Sequence, residues 1–456
     1  MAPAQANFAP NLDKFRKSLK AQPLEASIES LISLLKRRQI KTPQQCAVAT
    51  AHILLQVVAR GDWKDVDQLL DRVQQVGRRV GSARPKELVI GNITKRVLGL
   101  IRDEAMEDRN ADDAQSDAKP PAPAPAATQE PEAPPRLPRV ATLTSLPSHI
   151  TAQSIFSLLS NPPGALSSAG GSPFLKMSGA STPMGPHGSG TPTANSTANI
   201  ASLRTEVLDG IDEIMDEISQ ADEQMAAFGD VYINPGDYVM VHRPTATVER
   251  FLARAASKRK FTVLIARVDE NDEDTAAAAA ALAATAAPPS DPAADAAAAV
   301  PYAALRKKLA AHGVPVVNLA GMGVMSYFPL ATKVVLDARA ITASGGLVAD
   351  AGAGLLARAA KEFNRPVVAL AGVYRLSPAD LDEPEPVLEW GDPSPHADFA
   401  DGDLLDGIDI RTPAVEYIGP EMVDIYITNL GAHSRHYLQS VIRDHYKQDD
   451  IDVFIQ

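Results

Sequence analysis

The chain has 456 residues, 44 Lys and Arg against 56 Asp and Glu for a net charge of −12, and one cysteine. That length exceeds what one small core fills, so more than one structured region joined by linkers is expected. The acidic balance argues against broad nucleic-acid binding, which needs a positive footprint to neutralise phosphates. Cys46, being alone, allows neither an internal disulfide nor a thiolate metal cage, which suits a reducing compartment.

Met1–Phe8 lacks the basic start and apolar run of a secretory leader. The longest low-charge tract, Thr275–Ala287, is nearly all alanine and shorter than a bilayer span. The expectation is a cytoplasmic protein with no membrane contact.

Residues 11–108 read as a helical bundle. Leu24, Ile28, Leu31, Ile32 and Leu35 recur at helical spacing and end at Lys36-Arg37-Arg38, cations that suit a helix C-terminus. Thr42-Pro43-Gln44-Gln45 is a start signal, with a hydroxyl cap and a proline in the first turn. A further helix after Asp62-Trp63 aligns Val66, Leu69, Leu70, Val73 and Val76. Beyond Pro85 another aligns Ile90, Ile93, Val97, Leu98 and Ile101. Short connections between long amphipathic helices imply antiparallel neighbours.

Residues 109–198 are dominated by Pro, Ala, Ser and Gly and bury too little apolar surface to offset ordering, so a mostly disordered linker is expected. Within it, Ser148–Leu159 reads either as a short docking helix or as a partly ordered linker piece. Residues 199–229 form a connecting helix, with Leu203, Val207, Ile211, Ile214 and Ile218 on one face. The other face carries Asp209, Asp212, Glu213, Asp216, Glu217, Asp222 and Glu223. That is a solvated face or, alternatively, a seat for a basic partner.

From residue 230 to 456, β-branched runs alternate with helical ones. Strands are expected at Tyr238–His242, Thr262–Ala266, Val314–Asn318, Lys333–Asp337, Val367–Leu370 and Asp424–Thr428. Helices are expected at Thr247–Ser257, Tyr302–His312, Gly352–Phe363 and Ser434–Tyr446. Strands apolar on both faces, with helices between them, predict a mostly parallel sheet covered on both sides. The fold class is therefore α/β, an N-terminal helical bundle plus a C-terminal Rossmann-like domain. Residues 269–299, acidic and then alanine-rich, read as an insertion cut off by Pro288, Pro289 and Pro292.

Candidate chemistry is sparse. His242 ends the first strand, where ligands bind in open parallel sheets. Arg243 follows it, and no cysteine or carboxylate pair stands beside it in sequence. A catalytic base, a packed or partner-facing histidine and an anion contact are the competing readings. Asp337 and Asp350 are candidates for an acid–base couple, or Asp337 forms a structural pair with Arg339. Gly345-Gly346 permits a turn and lacks the spacing of a dinucleotide loop. His433 and His436 have no third metal ligand nearby. No catalytic, cofactor or metal residue is assigned. Tyr417–Gly431 is the strongest local signal, a proline turn feeding an apolar strand that exits through Asn429-Leu430-Gly431.

These motifs resemble the alpha, beta and delta regulatory subunits of eukaryotic translation initiation factor 2B, most of all the beta type. Four segments carry the resemblance. They are Gly91-Asn92-Ile93 running on to Glu104, Thr247 to Val263, Ala340 to Leu347, and Pro420 to Gly431. The resemblance implies a subunit of a guanine nucleotide exchange complex, a decamer with two copies each of five different subunits. A delta-like subunit would be the direct pair, and alpha, gamma and epsilon subunits would complete the complex. Exchange chemistry would reside in epsilon, and this chain would read the alpha subunit of initiation factor 2 and its phosphorylation. Lys86, Arg96, Arg102 and His242 are the candidate partner contacts. Pro420, Met422, Ile425, Ile427, Asn429 and Leu430 form the candidate subunit interface.

The wider superfamily includes ribose-1,5-bisphosphate and methylthioribose-phosphate isomerases, which use a cysteine and an aspartate. Those positions fall near Arg243 and at Arg339 here, and the isomerase Asn-Lys pair corresponds to Ala349-Asp350. A sugar-phosphate isomerase and a homo-oligomeric metabolite sensor are the alternative readings.

Overall fold

The computed structural model describes residues 11–116, 193–267, 302–379, 387–392, 402 and 407–451. Most of the expected linker, the Ser148–Leu159 segment and the 269–299 insertion lie outside the described residues. The described parts on either side of 117–192 make one compact unit.

The bundle consists of α1 (Leu12–Ser18), α2 (Leu24–Lys36), α3 (Pro43–Arg60), α4 (Val66–Ala83), α5 (Leu88–Ser116) and α6 (Thr193–Ala227). Its boundaries follow local chemistry. Lys14 N donates to Asn11 Oδ1 at 3.0 Å, and Gln45 N donates to the Thr42 hydroxyl at 3.2 Å. Pro43 opens α3, where its missing N–H is no loss.

The periodic residues are those that pack. Ile28, Leu31, Ile53, Leu54, Val73, Val76, Ile93 and Val97 are fully buried in a single core. Val207, Ile211 and Ile218 of α6 belong to that same core, so the connecting helix is a wall of the bundle. Five of the acids expected on its outer face are exposed: Asp209, Asp212, Glu213, Asp216 and Glu223. Glu217 and Asp222 depart from that expectation and turn inward to arginines, Glu217 to Arg96 and Asp222 to Arg250.

The main sheet has seven strands. They are β1 (Tyr238–His242), β2 (Thr262–Arg267), β3 (Val316–Ala320), β4 (Lys333–Asp337), β7 (Val367–Leu370), β10 (Ile425–Thr428) and β11 (Gly431–His433). Their order is β11-β10-β7-β4-β1-β2-β3, and every pairing is parallel except β10 with β11 at one edge. Alternate residues feed opposite faces. Val239 and Val241 pack with Phe251 and Leu252 of α7 (Ala246–Ala256) and with Leu305 and Leu309 of α8 (Ala303–Ala311). Met240 faces the other layer, built on Leu356 and Ala360 of α9 (Ala353–Glu362) and Leu438 and Ile442 of α10 (Arg435–His445). The expected α/β class with a mostly parallel, two-side-covered sheet is borne out.

A second, antiparallel sheet was not expected. It contains β5 (Ala340–Ile341), β6 (Leu347–Asp350), β9 (Pro413–Ile418) and β8 (Glu389–Trp390), in the order β5-β6-β9-β8. Ala340, Val348 and Val415 on one of its faces pack beside Leu88 of α5. Leu347, Ala349 and Ile418 on the other join the main core. This sheet therefore fills the space between the bundle and the sheet domain.

Candidate functional site

The chain leaves the main sheet in opposite directions on either side of β1 and β4, which opens a crevice beyond their C-terminal ends. His242 ends β1 and Asp337 ends β4, so both suspected residues stand at that switch point. The side chains around them are bonded to one another.

Arg375, 3 % exposed, comes from the single turn Val373–Arg375 after β7. Its Nη1 donates to Asp337 Oδ1 and to the Ala338 carbonyl, each at 2.8 Å. Its Nη2 donates to Thr247 Oγ1 at 3.2 Å, and its Nε to the Tyr374 hydroxyl at 3.0 Å. Thr247 in turn donates to Asp222 Oδ1 at 2.9 Å, and Arg250 donates to Asp222 Oδ2 at 2.8 Å. Burial pushes the Asp337 carboxyl up, opposed by the guanidinium beside it. Burial is the strongest single influence and pulls against the charge on Arg375, but Asp337, Tyr374 and Asp222 together outweigh it and hold that proton more tightly than usual.

His242 is buried, with Nδ1 3.1 Å from the Ala266 carbonyl and Nε2 2.7 Å from the Ala351 carbonyl. Asp350 accepts from Arg339 Nη1 at 3.1 Å. Arg339 also reaches Glu87 Oε2 at 3.2 Å and the Lys41 carbonyl at 3.3 Å across the bundle boundary. The expected Asp337–Arg339 pair is thus replaced by two pairs, Asp337–Arg375 and Asp350–Arg339. The reason is geometric: Asp337 ends β4 at the crevice, whereas Arg339 pairs in register with the second sheet, its N–H donating to Val348.

The N-terminus of α9, following Gly352 at φ +98°, is the nearby place where backbone N–H groups meet an anion. Glu416 of β9 already occupies it, accepting from Gly354 N at 2.6 Å. The Gly345-Gly346 turn has a local explanation. Gly345 sits at φ +89° and accepts from the Tyr426 hydroxyl at 2.6 Å, while a Cβ on Gly346 would run into the Tyr417 ring. Among the described residues no group of three His, Cys, Asp or Glu side chains is arranged to hold a metal. Nor is any helix among them long and apolar enough to cross a membrane.

The proposed bundle cations all have partners within the chain. Lys86 Nζ donates to the Leu388 carbonyl, Arg96 Nη2 to Glu217 Oε2 at 2.6 Å, and Arg102 to Asp450. Arg102 also lines a cavity of about 360 Å³ with Asp67, Asp71 and Asp449. Along the C-terminal signal, Pro420–Met422 forms a single turn and Ile425 is half-buried. Ile427 lies wholly inside the core, while Leu430 is 51 % exposed. Asn429 accepts from Val373 N at 2.8 Å and reaches Glu217.

Sequence reasoning missed Arg375, Tyr374 and Glu416. The one available signal was a lone charge, Arg375, inside the apolar run from Val367 to Leu376.

The family model described as the Initiation factor 2 subunit family matches residues 39–268 and 303–434. The chain belongs to the Initiation factor 2 subunit family. Within it, the chain is similar to the Schizosaccharomyces pombe translation initiation factor eIF2B subunit beta, 28 % identical over 429 residues, or 93 % of this chain and 96 % of that one. The crystal structure of eIF2B beta from Chaetomium thermophilum superposes with a TM-score of 0.64 at 39 % identity, covering 97 % of this chain and 98 % of that one. A chain of the tetrameric eIF2B-beta2-delta2 complex from C. thermophilum gives 0.61 at 37 % identity, over 96 % of this chain and all of that one (100 %). The resemblance drawn from the sequence motifs, including its beta type, is borne out. In this family member the sheet crevice is packed with its own side chains.

Proposed function

We propose that the chain is a non-catalytic, beta-type regulatory subunit of the exchange factor for initiation factor 2. It acts in the cytoplasm by holding that substrate and sensing phosphorylation of its alpha subunit. The observation that carries the non-catalytic part is the filled switch point, where Arg375 neutralises Asp337 and Glu416 caps α9. A substrate phosphate would have to displace a carboxylate, and a proton-transfer step would have to break a buried ion pair. Among the described residues, no feature of the crevice favours the isomerase reading or the metabolite-sensor reading.

The likeness to a chain of a beta2-delta2 tetramer supports a delta-like subunit as the direct partner. The candidate surface is the segment from Pro420 to Leu430, where Pro420, Met422, Ile425, Asn429 and Leu430 retain exposure and Ile427 supports them from the core. Lys86, Arg96 and Arg102 remain proposed contacts for the substrate. Any anion reaching Arg96 or Arg102 must compete with Glu217 or Asp450 of this chain. Buried His242 supports the crevice, so its role toward a partner is indirect.

Mass measurement of the chain alone and mixed with a delta-like subunit tests the pairing. A stable mixed complex is the expected result. A well-behaved monomer indifferent to that subunit would overturn it.

A further inference from the structure

Two asparagines from separate motifs, Asn92 of Gly91-Asn92-Ile93 and Asn429 of Asn429-Leu430-Gly431, hold one turn between them. Val373 N donates to Asn429 Oδ1 at 2.8 Å, and Asn92 Nδ2 donates to the carbonyl of the next residue, Tyr374, at 3.3 Å. The residue after that is Arg375, whose guanidinium is fixed in the crevice. Tyr374 itself is fully buried in the bundle core. The turn therefore puts adjacent side chains into the bundle and into the sheet domain.

Its surroundings leave little room for independent movement. A Cβ on Gly372 would overlap the Tyr374 ring and press on Ala221 of α6. Asn429 Nδ2 reaches Glu217 Oε1 at 3.4 Å, and the other oxygen of Glu217 takes Arg96 at 2.6 Å. Shifting the turn toward the bundle strains its bond to Asn429, and shifting it the other way strains its bond to Asn92. Each lost bond strands a polar group in a packed interior.

We propose that Val373–Arg375 is a coupling device between the bundle and the C-terminal Asn429-Leu430 turn. Its two states are the turn held by both asparagines and the turn released from one. A partner on the bundle and a subunit at the C-terminal turn then bias each other's binding by the same factor, as linkage requires. The partner half of this inference rests on the regulatory reading above, and the intrachain half does not.

Amide hydrogen exchange on the full chain tests it. Asn92→Ala does not touch the Val373–Asn429 bond, yet it should speed exchange of the Val373 amide by about tenfold or more. Ile53→Val, a milder change in the bundle core away from the turn, should leave that amide unaffected and so controls for general loosening. An unchanged Val373 amide in Asn92→Ala, or an equal rise in Ile53→Val, overturns the coupling.

A second arm adds a delta-like subunit. Pairing should slow exchange along residues 88–98 of α5 in the unaltered chain and not in Asn92→Ala, which cuts the turn from α5 and leaves the candidate pairing surface unaltered. Pairing without any response in α5 overturns the partner half. Absence of pairing contradicts the regulatory reading instead, and the Val373 amide still decides whether the turn couples.

Discussion

Arg375 Nη1 stands 2.8 Å from Asp337 Oδ1 at the mouth of the β1–β4 seam, the position where an open parallel sheet ordinarily receives its ligand. The pair takes the place of that ligand. Both side chains are largely out of solvent, at 3 % and 11 % exposure, so removing either one leaves a charge with no counter-ion.

Arg375→Met should therefore lower unfolding stability by about 3–5 kcal/mol in urea titration. Adding Asp337→Leu should recover much of that loss, because the stranded carboxylate goes with it. A double variant as unstable as the single would show that the arginine's packing matters more than its charge.

A pH effect is expected at Asp237, which accepts from Lys333 Nζ and from Asn234 N, each at 2.7 Å. Burial alone pushes its carboxyl up, but the lysine and the backbone amide outweigh it and hold it below the usual range. A carboxylate depressed in the folded state stabilises above its unfolded value of about 3.9, and that contribution is lost as pH falls through the lower folded value. Melting temperature should fall in acid, and Asp237→Asn should flatten that part of the fall below about pH 4. An unchanged acid limb in the variant would exclude Asp237 as a contributor.

Gly346→Ala should destabilise by about 1–3 kcal/mol, since the added methyl meets the Tyr417 ring. Combined with Tyr417→Ala, the methyl should do little further harm. Strictly additive losses in thermal unfolding would place the strain elsewhere.

Much of this architecture was legible in the sequence because its signals were periodic. The strands at Tyr238, Lys333 and Val367 were read with the boundaries the structure shows. The second sheet was not legible. Ala340–Ile341 and Glu389–Trp390 have two residues each, too short to express an alternation, and their pairing is set by tertiary contact. The crevice was half legible. His242 and Asp337 were placed there from the strand-end rule, but Arg375 and Glu416 arrive from other elements and only packing brings them in. The acids of α6 show the same limit. Helical spacing marks a polar face, and it takes Arg250 of α7 to draw Asp222 inward.

Leu430 and Ile427 should separate interface from core. Leu430 is 51 % exposed, so Leu430→Asp should weaken pairing with a delta-like subunit tenfold or more on order of magnitude while leaving the melting temperature nearly unchanged. Ile427 is fully buried, so Ile427→Asp should unfold the domain. Normal pairing by folded Leu430→Asp would move the interface away from this turn.

The most direct test of the regulatory account is guanine nucleotide release from initiation factor 2, measured with an exchange complex assembled with and without this chain. The account predicts that adding the chain raises release and makes it sensitive to phosphorylation of the factor's alpha subunit, while the isolated chain releases nothing. Release catalysed by the chain alone, or a complex whose response to phosphorylation is the same with and without it, would contradict the account.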